Sequence, residues 1–522
     1  LSKHYDSGSN LSQKILEGIN VLADNVASTL GPRGRNVILQ EKGKVPIITK
    51  DGVTVAGFVD LDDPFQDAAV QIIKLAASQT NEDAGDGTTT ATILARAILQ
   101  GAQRYISAGA APVELKRGID KAVTQVVDQL KKMSSPISSV DEIASVAAIS
   151  ANNDDYLGRL ISRAVDCAGK DGAITVEDSR SNQTVLDLKE GFILQAGYAA
   201  SAFVTDERRR TLLYEDPMLL VTDEKIDNVQ EIFPILELAA REGRPLIFFA
   251  PEIEGQALAA MIMNAIRGTL KIAAVKAPSY GEDRIDILRD LALSCGATFI
   301  SRGDGKRLKE VKLIDFGSAQ KIEVSRFQTT VVGGKGTPAA MAARIDSLKE
   351  QFKHQDDLHV CEKLQERIAR LASGVAVIQV GAPTEIELIE KKHRIEDALE
   401  AVKSAQLEGI VPGGGVALLR CADAIKIEPE NEDQRLGSEI LQQSLSAPLR
   451  QMALNAGSSP DLILAALDGC EDGYGWDFVN DGIVDMVLAG IIDPVKVTRT
   501  ALENAASVAG TLITTNHAII QK

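Results

Sequence analysis

Apolar residues recur at helical spacing near the start of the chain, at Ile15, Ile19, Val21, Leu22 and Val26. The pattern predicts a helix that stops at the Gly31-Pro32 break. Val37-Ile38-Leu39 and Pro46-Ile47-Ile48 read as a hairpin, and long helices are predicted from about Thr88 to Ser107 and from about Val113 to Lys132. Ser134-Ser135-Pro136 has linker character. From about Gly191 to Gly374 the texture changes. Short apolar runs at 246–249, 272–275 and 298–300 are separated by helical patterns at 256–266 and 283–294. Such alternation predicts parallel α/β units packed in layers. Thr384-Glu385-Ile386-Glu387 has the form of a capping box and opens a helix that runs to about Glu408. Gly409 and Gly413-Gly414-Gly415 interrupt it, and a second helical block continues to about Ile513. No period of about 20–50 residues repeats, which argues against a solenoid.

Length and composition narrow the classes. A chain of 522 residues is too long for one core and should divide into about three domains. Fifty-six basic against 73 acidic residues leave a net charge of −17, which argues against nucleic acid or an anionic membrane as the main partner. Five cysteines at unrelated spacings, with no Cys-x-x-Cys, indicate neither a zinc ribbon nor a disulfide framework, and point to a reducing compartment. No apolar run approaches the ~20 residues that span a bilayer. Residues 1–10 resemble neither a secretory nor a transit peptide.

The chemistry concentrates at Gly85-Asp86-Gly87-Thr88-Thr89-Thr90, directly ahead of a predicted helix. Two glycines allow close approach to an anion, three threonines place N–H and hydroxyl donors at a helix N-terminus, and Asp86 can meet a phosphate-bound Mg²⁺. A turn with a threonine cap is the plainer alternative. Thr29-Leu30-Gly31-Pro32 reads equally as a helix C-cap, and Lys50-Asp51-Gly52 as a turn. Gly413-Gly414-Gly415 fits a cradle for a base or ribose, or a hinge. No Gly-x-x-x-x-Gly-Lys-Ser/Thr occurs, so a P-loop is excluded. Phosphoryl transfer to water needs a metal and carboxylates that position the nucleophile. Asp51, Asp86 and Asp397 supply them if the fold brings them together.

Taken in order, 29–36, 50–53, 85–90, Arg394-Ile-Glu-Asp-Ala-Leu, 413–417 and Asp493-Pro-Val-Lys-Val-Thr-Arg resemble the group I chaperonins, the GroEL family, from about residue 10 to 516. The resemblance implies a mixed α and α/β fold of three domains. A mostly helical equatorial domain would come from both chain ends (1–132 and 409–522). A small intermediate hinge domain would span 133–190 and 375–408, and an inserted α/β apical domain 191–374. It implies an ATP-dependent chaperone in which Asp51 and Asp397 position and activate water and Asp86 holds Mg²⁺. Leu30, Gly31, Pro32, Gly52, Gly85, Gly87, Thr88, Thr89 and Thr90 would line the phosphates. K⁺ would be held by the Thr29 and Lys50 carbonyls with Thr89. Gly413, Gly414, Asp477, Phe478, Val479, Ile491 and Asp493 would meet the nucleoside. Asp397 would arrive on a domain that swings over the nucleotide.

The same resemblance assigns client and co-chaperonin binding to Tyr198, Phe203, Phe233, Leu236, Leu258, Ile262 and Met263. It implies non-native polypeptides and a GroES-like lid as partners. The assembly would be a heptameric homo-oligomer of one ring or two, in the cytoplasm of a bacterial or phage-infected cell or in an organelle matrix. The sequence departs from the family pattern at Ala202, where a second apical tyrosine is usual, and at Asp477-Phe478-Val479, where Asn-Ala-Ala is usual. At the inter-ring contact Ser459 stands at the usual acidic partner of Arg450, while Glu432 and Arg104 keep opposite charges. The competing classes are an ATP-independent holdase and a small-molecule kinase. The three acids speak against the first, and the absence of an acceptor constellation against the second.

Overall fold

The computed structural model describes residues 3–41, 43, 46–168, 173–179, 181–355, 358–372 and 374–521. The chain forms two compact units. The first comprises 1–163, 178–183 and 380–522, and the second 164–177 and 184–379. The first unit is closed by its own ends, because strand Lys3–Ser7 pairs antiparallel with His517–Gln521, Lys3 opposite Gln521.

The first unit is a helical bundle. Thr88–Ser107 buries Ala91, Leu94, Ala95, Ile98, Leu99 and Ala102, spaced three and four apart, so one stripe faces the core. Helices Pro64–Ala84 and Val495–Ile513 pack against it, and the alanines at 505, 506 and 509 keep the last of these close. Pro112–Met133 and Glu432–Ser444 form a second closely packed pair. The stretch expected as one helical block after Gly415 is divided. Helices Val416–Ala422, Ala447–Asn455 and Pro460–Leu467 precede a hairpin, Tyr474–Asp477 with Gly482–Asp485, and helix returns only at Val495. Phe478 and Met486 bury their side chains with Leu449 and Met452, and this small separate core takes the place of helical packing there.

The second unit is built on a nine-stranded mixed sheet. Met218–Val221, Leu246–Ala250 and Ile272–Lys276 are parallel, as the alternation predicts, and all but Lys276 are buried, as strands covered on both faces should be. The rest of the sheet runs antiparallel through Val185–Leu194, Thr329–Gly334 and Gly317–Val324. In place of a strand at 298–300 there is a single bridge, Ile300 to Thr222.

Candidate nucleotide site

In the first unit, loops from both ends of the chain line a cleft of about 290 Å³. Asp51 caps helix Gly52–Phe58, its carboxylate accepting the Val53 and Thr54 N–H groups at 3.1 Å and the Thr54 hydroxyl at 2.5 Å. A side chain at Gly52 would strike the Thr89 hydroxyl, so the two phosphate loops meet backbone to side chain. Gly85 ends one helix and Gly87 starts the next, both in the left-handed region at φ +76° and +96°. Between them Asp86 accepts the Gly87 N–H at 2.5 Å and the Ser150 hydroxyl at 3.2 Å.

The acids converge. Burial raises the Asp86 carboxyl above the usual carboxylate range and the charge of Asp51 adds to it, against the Gly87 and Ser150 hydrogen bonds. Burial likewise pushes Asp493 up to about 6, with Asp86 adding and the Gly414 N–H opposing. Asp86 therefore feels like charges from both Asp51 and Asp493, an arrangement that a cation would relieve. Among the described residues no trio of His, Cys, Asp or Glu forms a metal cage.

Asp397 lines the same cleft from helix Glu385–Glu408, which Thr384 caps through the Glu387 N–H at 3.3 Å. The helix is fastened at the phosphate loop by the Ser404 hydroxyl on the Ala84 carbonyl at 2.7 Å, and at its end by Glu408 on Arg499 at 2.6 Å. A Cβ at Gly85 would collide with that of Glu400. Gly85 thus makes room for the carboxylate helix instead of touching the nucleotide space. We expect Gly85→Ala, which also strains the turn at φ +76° ahead of Asp86, to lose hydrolysis by roughly 10²-fold and to weaken nucleotide affinity by less, since about 1 Å of misplacement suffices for the rate loss. Calorimetry with ADP against steady-state phosphate release checks it, and unchanged turnover would show that the contact is dispensable.

Most of the expected residues line the cleft: Thr29, Leu30, Gly31, Pro32, Lys50, Asp51, Gly52, Asp86, Gly87, Thr89, Thr90, Asp397, Gly414, Asp477, Phe478, Val479, Ile491 and Asp493. Gly85, Thr88 and Gly413 stand behind it. Thr88 is buried with its hydroxyl 3.4 Å from the Ala77 carbonyl, and Gly413 holds the Ile491 carbonyl at 2.9 Å beside Asp493. The Asp477 carboxylate accepts the Val479 and Asn480 N–H groups, at 2.8 and 3.2 Å, and the Asn480 side-chain amide, so it shapes the turn. Sequence reasoning missed Arg33, whose guanidinium clamps the Phe478 and Val479 carbonyls at 3.1 and 3.0 Å, and Ser150 on Asp86. It also missed the Lys50 ammonium, 2.9 Å from the Gly31 carbonyl and lowered in pKa by burial and then by Arg394. Local spacing carries no signal for partners so remote in the chain.

The second unit exposes apolar side chains on two helices. Phe233 on Val229–Glu242 is 57% exposed, and Met263 and Ile266 on Gly255–Arg267 are 46% and 66% exposed. Tyr198, Leu258 and Ile262 are half-buried against the core. Expected on this surface, Phe203 and Leu236 instead lie inside at 2% and 7% exposure, filling the core beneath the helices. Phe327, 70% exposed, sits on the turn whose Ser325 carbonyl takes the Tyr198 N–H. Back in the first unit, Arg450 finds a partner within the chain, Asp461 at 2.8 Å, and Glu432 pairs with Arg435.

A cleft that gathers glycine-rich loops and acids from both chain ends, in one chain with a unit that displays apolar helices, fits the class of ATP-dependent chaperones. Sequence comparison agrees: residues 22–522 match the TCP-1/cpn60 chaperonin family. The chain belongs to that family. It is therefore an ATP-dependent chaperone of the kind that assembles as an oligomeric ring and binds substrate. Among solved structures, the chaperonin gp146 from the bacteriophage EL 2 (Pseudomonas aeruginosa), crystallised in presence of ATP-BeFx, is similar in two crystal forms. Form II gives a TM-score of 0.67 and form I 0.63. Each is 22% identical, with 99% of both chains covered. At that identity the likeness is one of fold. No described helix is long and apolar enough to cross a membrane.

Proposed function

We propose that this chaperonin hydrolyses ATP in the cleft of its first unit and uses the cycle to bind and enclose non-native polypeptides. The observation that carries the reading is the meeting of Asp51, Asp86, Asp397 and Asp493, far apart in the chain, with the phosphate loops in one cleft. Asp86 would hold Mg²⁺, and the Thr29 and Lys50 carbonyls with Thr89 would hold K⁺. When bound, these cations neutralise phosphate charge. Asp51 and Asp397 orient and activate water, and Gly414 and Asp493 meet the ribose. That gp146 was crystallised in presence of ATP-BeFx supports nucleotide use in this fold.

The chain would comprise an equatorial domain from 1–132 and 409–522, an intermediate domain from 133–190 and 375–408 that takes residues from both compact units, and an apical domain from 191–374. Phe233, Met263, Ile266 and Tyr198 would present an adaptable apolar surface to clients and to a GroES-like lid. The working form would be a heptameric ring, single or double, in the cytoplasm. Phosphate release with and without Mg²⁺, K⁺ and an unfolded protein tests the reading. We expect turnover to need Mg²⁺, to rise with K⁺, and to respond to the unfolded client. A protein that captures clients but releases no phosphate would be a holdase.

A further inference from the structure

Arg394 leaves helix Glu385–Glu408 one turn before Asp397, and both side chains line the nucleotide cleft. Its Nη2 donates to Glu390 at 2.7 Å, while Nη1 lies 3.7 Å from Asp154, too far for a hydrogen bond. Its Nε–H is buried and has no acceptor. Among the described residues only two other buried side-chain polar atoms share that condition, on Thr175 and Arg420, and neither of these lines the cleft. An orphan donor in a desolvated place costs stability, and a guanidinium cannot shed its proton to escape. Such a group in a cleft calls for an explanation, and an anion bound there is one. The position says what arrives. The charge of Arg394 is felt at Lys50, whose ammonium reaches the Gly31 carbonyl. Arg394 also shares its helix with Ser404, which fastens that helix to the Ala84 carbonyl at the start of the 85–90 loop.

We infer that Arg394 binds an oxygen of the nucleotide's terminal phosphate through its guanidinium, so that the cleft distinguishes a nucleoside triphosphate from a diphosphate. The inference rests on the ATP-hydrolysing reading. A charge-assisted bond from a fixed guanidinium suits a phosphate oxygen, and its strength grows with the negative charge gathered there. Because Arg394 and Asp397 share one helix face, docking of that helix delivers a water-orienting carboxylate and a phosphate-binding cation together. Glu390 keeps the guanidinium aimed.

The test uses the purified assembly and calorimetry with ADP alone and with ADP plus beryllium fluoride as a terminal-phosphate mimic. In Arg394→Gln, ADP affinity should stay unchanged while the preference for the beryllium fluoride complex falls by about 10- to 100-fold, the range of one charged hydrogen bond. Arg394→Lys, which keeps the charge but lacks the planar fork, should recover only part of it and serves if the glutamine variant fails to fold. Glu390→Gln removes the charge but keeps an amide oxygen that accepts from Nη2, so the guanidinium stays aimed and the preference should persist. Equal weakening of both ligands in Arg394→Gln, an unchanged preference, or the same loss in Glu390→Gln would overturn the assignment and leave the ATPase reading standing. A wild type that binds neither ligand would remove both.

Discussion

Replacing Asp397 by alanine will leave ADP and ATP affinities within a few-fold of wild type while slowing hydrolysis by about 10²- to 10⁴-fold, the range for a group that handles the proton of an attacking nucleophile. The asymmetry follows from where the side chain originates. The proposed phosphate and nucleoside contacts, Arg394 apart, come from 29–32, 50–52, 86–87, 89–90, 414, 477–479, 491 and 493, all outside the Glu385–Glu408 helix. Asp397 is the acid on the helix that Ser404 and Gly85 dock against the phosphate loop. Removing it takes away the water's partner and none of the phosphate donors. Single-turnover phosphate release beside calorimetry separates the two quantities. A parallel loss of affinity and rate would place Asp397 on the ground-state nucleotide and contradict its role.

That docking also explains which parts of the site were legible beforehand. The Gly85–Thr90 hexapeptide could be read because its chemistry is local. The glycines, the half-buried Asp86 and the helix start at Thr88 all lie within six residues, and the helix runs from Thr88 to Ser107 as its periodicity predicts. The helix opened by Thr384 was legible for the same reason. Contacts that depend on the fold were not. Nothing near Ser150 announces its bond to Asp86, and nothing near Gly85 announces Glu400. Apolar stripes were ambiguous in a different way. Phe233 and Leu236 sit three apart on one helix, yet one is exposed and the other is core. Periodicity locates a face without saying what covers it. The antiparallel half of the large sheet escaped because Val185–Leu194 mixes charged residues into its run, which a reading tuned to buried parallel strands passes over.

The opposite balance, stability gained at the expense of function, is expected of Asp86→Asn. Asp86 and Asp493 are both held above the usual carboxylate range by burial and by charged neighbours. An acid whose folded pKa exceeds its unfolded value contributes stability at low pH, and that contribution is lost as pH rises through the gap. For Asp493 the gap runs from 3.8 to about 6. The nucleotide-free protein therefore loses stability, on the order of a few kcal/mol, as pH rises through that gap. Asparagine at 86 keeps an acceptor for the Gly87 N–H and the Ser150 hydroxyl but removes one of the mutually repelling charges. The ligand-free variant should therefore unfold at higher temperature than wild type at pH 7.5, by a margin on the order of 1 kcal/mol, and its stability should fall less between pH ~4 and ~6. The same change removes the carboxylate assigned to Mg²⁺. A metal ion's charge stabilisation is worth several kcal/mol, so hydrolysis should fall by about 10³-fold or more. Stabilisation by Mg²⁺-nucleotide in a thermal melt should vanish with it. A variant that is destabilised without ligand, or that still gains Mg²⁺-dependent protection from ATP, would show that Asp86 is a structural cap and that the cation sits on other oxygens.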